Sequence, residues 1–228
     1  MIISIHQPQY YPWFPYFKKI LKSDLFIFLD NVQFQKNGII NRNELKNSKG
    51  KFWLTVPIIS PKKNKILDVK IDNQSNWIKK HISSIKTNYS RSDNYIFFKN
   101  NILPIYSKKY DNIADLNIEI IEVIIKKYFQ SEVKTLRQKN MITQNSGSDL
   151  ILELCKKNNA TKYISGQGGK KYLDLTKFKD NNIDVEFINN HLPLEYAQQY
   201  TKIPYIADIS ALDFVLNIKD DYKKYINL

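Results

Sequence analysis

The first thirty residues constrain the fold most, because "MIISIHQPQYYPWFPYFKKILKSDLFIFLD" sets two short apolar runs on either side of a helical stretch. "IISIHQ" is rich in β-branched residues and too short for a helix, so it predicts a buried strand. Trp13, Tyr16, Phe17, Ile20 and Leu21 recur at helical spacing, which predicts a helix from about Phe14 to Lys22. "SDLFIFLD" is a second apolar run, and it ends on the carboxylate of Asp30. Strand, loop, helix and strand in so short a span form a βαβ unit, which requires a parallel strand pair and a right-handed crossover.

The same alternation returns later in the chain. "SGSDLILELCKKNNA" reads as a helix with Ser146 or Ser148 as its N-cap, followed by the strand "TKYIS", the loop "GQGGKKYLD" and the strand "IDVEFI". The expected class is therefore α/β, with a Rossmann-like parallel sheet as core. "KFWLTVPII" and "KILDVKID", joined by a "SPKKNK" turn, read as a strand pair. From "SNWIKKHISSIKTNY" to "ADLNIEIIEVIIKKYF" the apolar spacing is helical, so a helical insertion or lobe is expected at about 75–130. A last helix is expected around "SALDFVLN". With no internal repeat and no low-complexity linker, residues 1–228 read as a single domain carrying that lobe.

The chain has 35 basic against 22 acidic residues, a formal charge of +13. Clustered basic residues would suit nucleic acid, but only Arg42, Arg91 and Arg137 are arginine, so the side chain best suited to bidentate phosphate recognition is nearly absent. The excess lysine is spread along the chain, and no nucleic-acid partner is expected. The charge favours a smaller anionic substrate, phosphorylated or nucleotide-linked. Cys155 is the single cysteine and lies on the inward side of a helical pattern, as a core thiol in a reducing compartment would. The N-terminus has no basic flank leading into a long apolar stretch, and no window approaches the ~20 apolar residues of a membrane span, so a cytoplasmic location is expected.

Ligands of open α/β sheets gather at the carboxyl ends of the strands. Those ends carry His6 and Gln7 after the first strand and Asp30 to Gln33 after the second, which places His6 and Asp30 on one rim. A neutral imidazole there could take a proton from an attacking amine or hydroxyl. Pro8, Pro12 and Pro15 stiffen the loop. Tyr10, Tyr11, Trp13 and Tyr16 either stack a sugar or base or, as aromatics at helical spacing, enter the core. Gln33, Lys36, Asn41 and Arg42 crowd a polar stretch that reads as either a binding rim or a solvated loop. "SGQGGKKYLD" supplies Ser165, Gly166, Gln167 and Tyr172 and is either an anion nest or a tight turn. It matches neither nucleotide fingerprint, G-x-x-x-x-G-K-[ST] or G-x-G-x-x-G. His6, His81 and His191 have no metal-ligand spacing, so no metal is expected.

Taken in order, "IHQPQYYPWFPYFKKI", "SDLFIFLDNVQF", "NRN", "WLTVP", "YISGQGGKKYLD" and "SALDFVLN" resemble the WbqC-like family over nearly the whole chain. Members of that family look like proteins of bacterial surface-polysaccharide and O-antigen loci. The resemblance therefore implies amide formation on the amino group of a nucleotide-linked amino deoxysugar. Carried over by position, it marks His6, Gln7, Pro8, Tyr10, Pro12, Trp13, Asp30, Gln33, Asn41, Arg42, Ser165, Gly166, Tyr172, Leu173 and Asp213. The tail "LNIKDDYKKYINL" departs from the family pattern, in which a glycine follows the corresponding pair. On this reading the acyl or aminoacyl donor is a thioester of coenzyme A or of a carrier protein, with His6 as general base and Asp30 orienting it or holding the amine. A second analogy, to HUP-type nucleotidylyltransferases and the ligases built on them, offers an ATP-dependent alternative that activates a carboxylate as an adenylate. That family's paired histidine is missing here. A third reading is a non-catalytic sugar-nucleotide binding module.

Overall fold

The protein is described from a computed structural model over residues 1–36, 38–59, 64–189 and 194–225. Its core is a five-stranded, fully parallel sheet made of β1 (Ile2–His6), β2 (Leu25–Phe28), β5 (Lys134–Arg137), β6 (Lys162–Ser165) and β7 (Asp184–Phe187). The strands lie in the order β5-β2-β1-β6-β7. Numbered within the sheet alone this is 3-2-1-4-5, the Rossmann order less its last strand. The chain leaves β1 toward one edge and later returns to β1's other side, so the strand order reverses between β1 and β6.

Period-two alternation divides the apolar residues between the two faces of the sheet. Ile3, Ile5, Leu25 and Ile27 pack with α6 (Gly147–Lys157) and α7 (Leu175–Asp180). Phe26 and Phe28 pack on the opposite face with α1 (Phe14–Leu21) and α5 (Ile113–Val123). Cys155 is fully buried on the α6 side, and burial pushes its thiol up to about 12, which makes it an inert core group.

Residues 77–128 are mainly helical: α2 (Trp77–Tyr89), α3 (Tyr95–Phe97), a π-turn (Phe98–Ile102), α4 (Leu103–Tyr106), then α5 and a second π-turn (Ile124–Tyr128), with turns at 90–94 and 107–112. α8 (Ala211–Asn217) starts at Ser210, whose hydroxyl accepts from the Leu212 amide. Asp213 in α8 is buried and accepts from Tyr89 (2.5 Å) and Tyr196 (2.7 Å), so this carboxylate ties α8 to α2.

Two sequence expectations are corrected, and one further strand appears. The polar stretch after Asp30 contains a strand, β3 (Arg42–Asn47), which pairs antiparallel with β4 (Gly50–Thr55) in a separate ribbon. "KILDVKID" forms a short 3-10 turn, Ile66–Asp68, and meets the residues after β4 only through the Ile58↔Ile71 bridge and neighbouring backbone bonds. Most of the "SPKKNK" turn, residues 60–63, lies outside the described residues, as does His191. "KTLR", whose residues alternate between exposed and half-buried, is the edge strand β5.

Candidate functional site

The sequence "HQPQYYPW" folds into a loop held from several directions. The Pro8 carbonyl accepts from the Asn117 side chain (3.0 Å), the Tyr11 carbonyl from Asn43 Nδ2 (2.7 Å), and the Pro12 carbonyl from the Ala211 amide (2.9 Å). Tyr11 takes a left-handed φ of 43°, a conformation that costs a residue with a Cβ about 1 kcal/mol or more. The surroundings determine it: Tyr10 and Tyr11 are buried, and both hydroxyls bond Tyr106, with Tyr10 also bonded to His81 Nδ1 (2.8 Å). The ring-rich opening is therefore chiefly an anchor. Tyr10 is a core residue and does not stack a ligand.

What this anchoring fixes is a cavity of about 110 Å³ at the reversal point, between the carboxyl ends of β1 and β6. Its walls include His6, Trp13, Tyr16, Lys19 and the Gly166–Gln167–Gly168 turn. Even-numbered residues of β1 face α1, and this parity carries His6 to Tyr16, where the rings meet edge to face at 4.9 Å. His6 Nδ1 lies 3.2 Å from the Gln7 carbonyl. A carbonyl only accepts, so Nδ1 carries the proton and Nε2 is the basic nitrogen. Burial first and the Lys19 charge second hold the imidazole neutral down to about pH 3.

Lys19 was not singled out in the sequence. It is 3 % exposed, and its ammonium nitrogen has no hydrogen-bond partner among the described residues. Burial lowers it to about 7. The cavity is thus lined by two nitrogen bases, and their mutual repulsion means it holds at most one proton near neutral pH.

The remaining candidates are dispersed. Gln7 contributes its carbonyl, which also accepts from Tyr16 Oη (3.1 Å). Ser165 is buried with Oγ donating to the Gly166 carbonyl, and Gln167 Nε2 donates to the Ile188 carbonyl (2.7 Å). Asn41 is buried against the Val56 carbonyl, and the Arg42 guanidinium sits 4.4 Å from the Trp53 ring on the ribbon. Gln33 and Lys36 are exposed, and Tyr172 is 54 % exposed. None of these last five lines the cavity. Asp30 follows β2 on the same edge as His6, in keeping with the His6↔Phe28 register, but it turns to the other neighbour. Its carboxylate accepts from Arg137 Nε (2.7 Å) and from the Lys139 amide (3.0 Å), and no bond joins it to His6. Arg137 also pairs with Asp115. The physical reason is β5: an arginine at the end of the edge strand captures the acid from the adjacent one.

The glycines of the turn have separate tasks. A Cβ on Gly169 would lie 2.1 Å from Ser165 Oγ and 2.9 Å from a Leu173 methyl, whereas Gly166 and Gly168 have open space there. Gly169→Ala is therefore expected to destabilise the fold by about 1–3 kcal/mol, as overpacking does. Gly168→Ala, on the cavity wall, is expected to leave the thermal midpoint near wild type. Parallel thermal melts check this, and equal midpoints for the two variants would contradict it.

Two larger hollows, about 490 and 430 Å³, lie over α2 and beside residues 198–203, and their walls are surface amides, hydroxyls and lysines. Among the described residues there is no group of three His, Cys, Asp or Glu side chains that could hold a metal, and no helix long and apolar enough to cross a membrane.

No solved structure matches the chain. An uncharacterized protein of Mycobacterium tuberculosis, Rv1507c, is 28% identical over 229 residues, covering 98% of this chain and 97% of the relative. Residues 7–225 match the WbqC-like protein family, a span that begins just after His6 and contains the rest of the anchored loop, the Gly166–Gly168 wall of the cavity and α8. The chain belongs to the WbqC-like protein family.

Proposed function

We propose that the cavity between β1 and β6 is the active site of an acyl- or aminoacyltransferase that forms an amide on the amino group of a nucleotide-linked amino deoxysugar. The observation that carries this reading is a neutral imidazole, its Nδ1 proton fixed on the Gln7 carbonyl and Nε2 left as acceptor, in a small, partly enclosed site at the switch point of the sheet. An amine attacks a carbonyl only without its extra proton, and a site that holds basic nitrogens uncharged favours that form. At about 110 Å³ the cavity admits the amine-bearing carbon and the acyl carbonyl but not a nucleotide, for which ligand sites run to several hundred Å³. The nucleotide and a coenzyme A or carrier-protein thioester would extend over the surface, whose formal charge of +13 suits their phosphates. His6 Nε2 would accept the amine N–H and hold the nucleophile in line with the thioester.

The test is turnover of a panel of nucleotide-linked 3- and 4-amino deoxysugars against acyl-coenzyme A donors, with product amides read by mass spectrometry. Wild type should form amide from at least one pair, and His6→Ala should lose about 100-fold or more in kcat/KM. Full activity in His6→Ala would remove His6 from the chemistry. Amide formation only with ATP and a free acid, with release of pyrophosphate or AMP, would replace transfer by the adenylate-forming alternative.

A further inference from the structure

The mechanism just given leaves one group of the cavity unused. Lys19 is the only lysine among the cavity-lining residues, its nitrogen is buried, and no carbonyl, carboxylate or hydroxyl of the described residues bonds it. A lysine is rarely buried without a partner, because desolvating the ammonium is costly. The fold nevertheless places it on α1 one turn after Tyr16, whose ring centroid is 5.8 Å from Nζ, and opposite His6 at the end of β1. The groups facing it are His6 from β1, Tyr16 from its own helix, and the uncharged Gly166–Gly168 turn after β6, and no acid is among the cavity-lining residues.

We propose that Lys19 Nζ is the proton acceptor for the attacking amine, with His6 Nε2 as the positioning acceptor beside it. This rests on the acyl-transfer reading above. The sugar ammonium gives one proton to Lys19, and the free amine adds to the thioester carbonyl, forming the C–N bond. Collapse breaks the C–S bond, the second nitrogen proton goes to the departing thiolate, and Lys19 returns its proton to solvent. The products are amide, thiol and one proton. A covalent acyl-Lys19 is excluded chemically, since it would be an amide as stable as the product and would not turn over. Between the two bases the division of labour follows from acidity: burial brings Lys19 to about 7, matched to neutral pH, whereas His6, at about 3, accepts a hydrogen bond but keeps a proton poorly.

The experiment has two readouts on the full-length chain. The first needs no turnover: competitive labelling with acetic anhydride across pH 5–11, read peptide by peptide, should give Lys19 a midpoint near 7 while exposed lysines titrate near 10. A Lys19 midpoint near 10 would overturn the proposal. In the second, on whichever sugar and thioester pair wild type accepts, Lys19→Ala should lose about 100-fold or more in kcat/KM together with the acidic limb near pH 7, and added ethylamine should restore part of the rate. A Lys19→Ala enzyme with an unchanged pH profile and no amine rescue would overturn Lys19 as base while leaving acyl transfer standing. Absence of amide from wild type on every pair would overturn acyl transfer, and Lys19's role with it, even if the labelling midpoint were near 7.

Discussion

Lys19→Met is expected to make the protein more stable at pH 7, by roughly 3–4 kcal/mol. In the fold Lys19 titrates at about 7, while in an unfolded chain a lysine titrates near 10.4. Between those values the unfolded state binds more protons than the folded one, so the wild-type chain gains stability as pH rises through the window. At about 1.4 kcal/mol per unit, burial of this amine costs about 4 kcal/mol at pH 7 and about 2 kcal/mol at pH 9. Methionine keeps the length of the side chain and removes the cost. For a chain of this size the gain corresponds to about 10 °C in Tm, largest at and below neutral pH and shrinking toward pH 10. Urea melts at pH 7 and pH 9 check both the sign and the slope. A less stable variant would show that Lys19 makes an interaction the fold needs. A residue that weakens the fold and lines the cavity at the switch point is the pattern expected where stability is given up for chemistry.

That residue marks the limit of what was legible in the sequence. β1, α1 and β2 could be read because burial on both faces of a parallel strand leaves near-continuous apolar runs such as "IISI" and "LFIF". His6 and the Gly166–Gln167 turn followed, because strand ends in such a sheet are ligand positions whatever their residues. β5 and β3 were hidden because "KTLR" is a partly exposed edge and "RNELKN" belongs to a two-stranded ribbon, and neither carries an apolar run. Lys19 was hidden for a different reason. It stands three residues after Tyr16, on the edge of the apolar stripe, where a lysine normally extends its amine to solvent. The residues that enclose it with α1 come from β1 and from the turn after β6, some 150 positions later in the chain. Tyr10 shows the converse: its surroundings in "QPQYYPW" suit a stacking platform, yet the partners its hydroxyl bonds, His81 and Tyr106, come from α2 and α4, which no local pattern could supply.

Asp30→Ala is expected to cost about 3–5 kcal/mol of stability, the effect of removing one partner from a buried ion pair. Asp30 is fully buried, and its two oxygens accept from Arg137 Nε and the Lys139 amide; Arg137 Nη2 already lacks a partner among the described residues. Deleting the carboxylate would leave the guanidinium held by Asp115 alone and the Lys139 amide without its acceptor, so the contact between the ends of β2 and β5 should loosen. Asp30→Asn should also be destabilising, because its amide can keep one of the two bonds only by presenting a donor to the other. The loss should be smaller in the Arg137→Met background, where no unpaired charge remains, and a double-mutant cycle at these two positions measures that coupling. The same variants decide what Asp30 does. If it braces the sheet, well below its lowered Tm Asp30→Ala should keep kcat/KM within a few-fold of wild type, since no bond links it to His6. A variant that melts with wild type yet has lost turnover would instead mean that the carboxylate leaves Arg137 and reaches the substrate, and the rim would then hold two catalytic groups on opposite sides of β1.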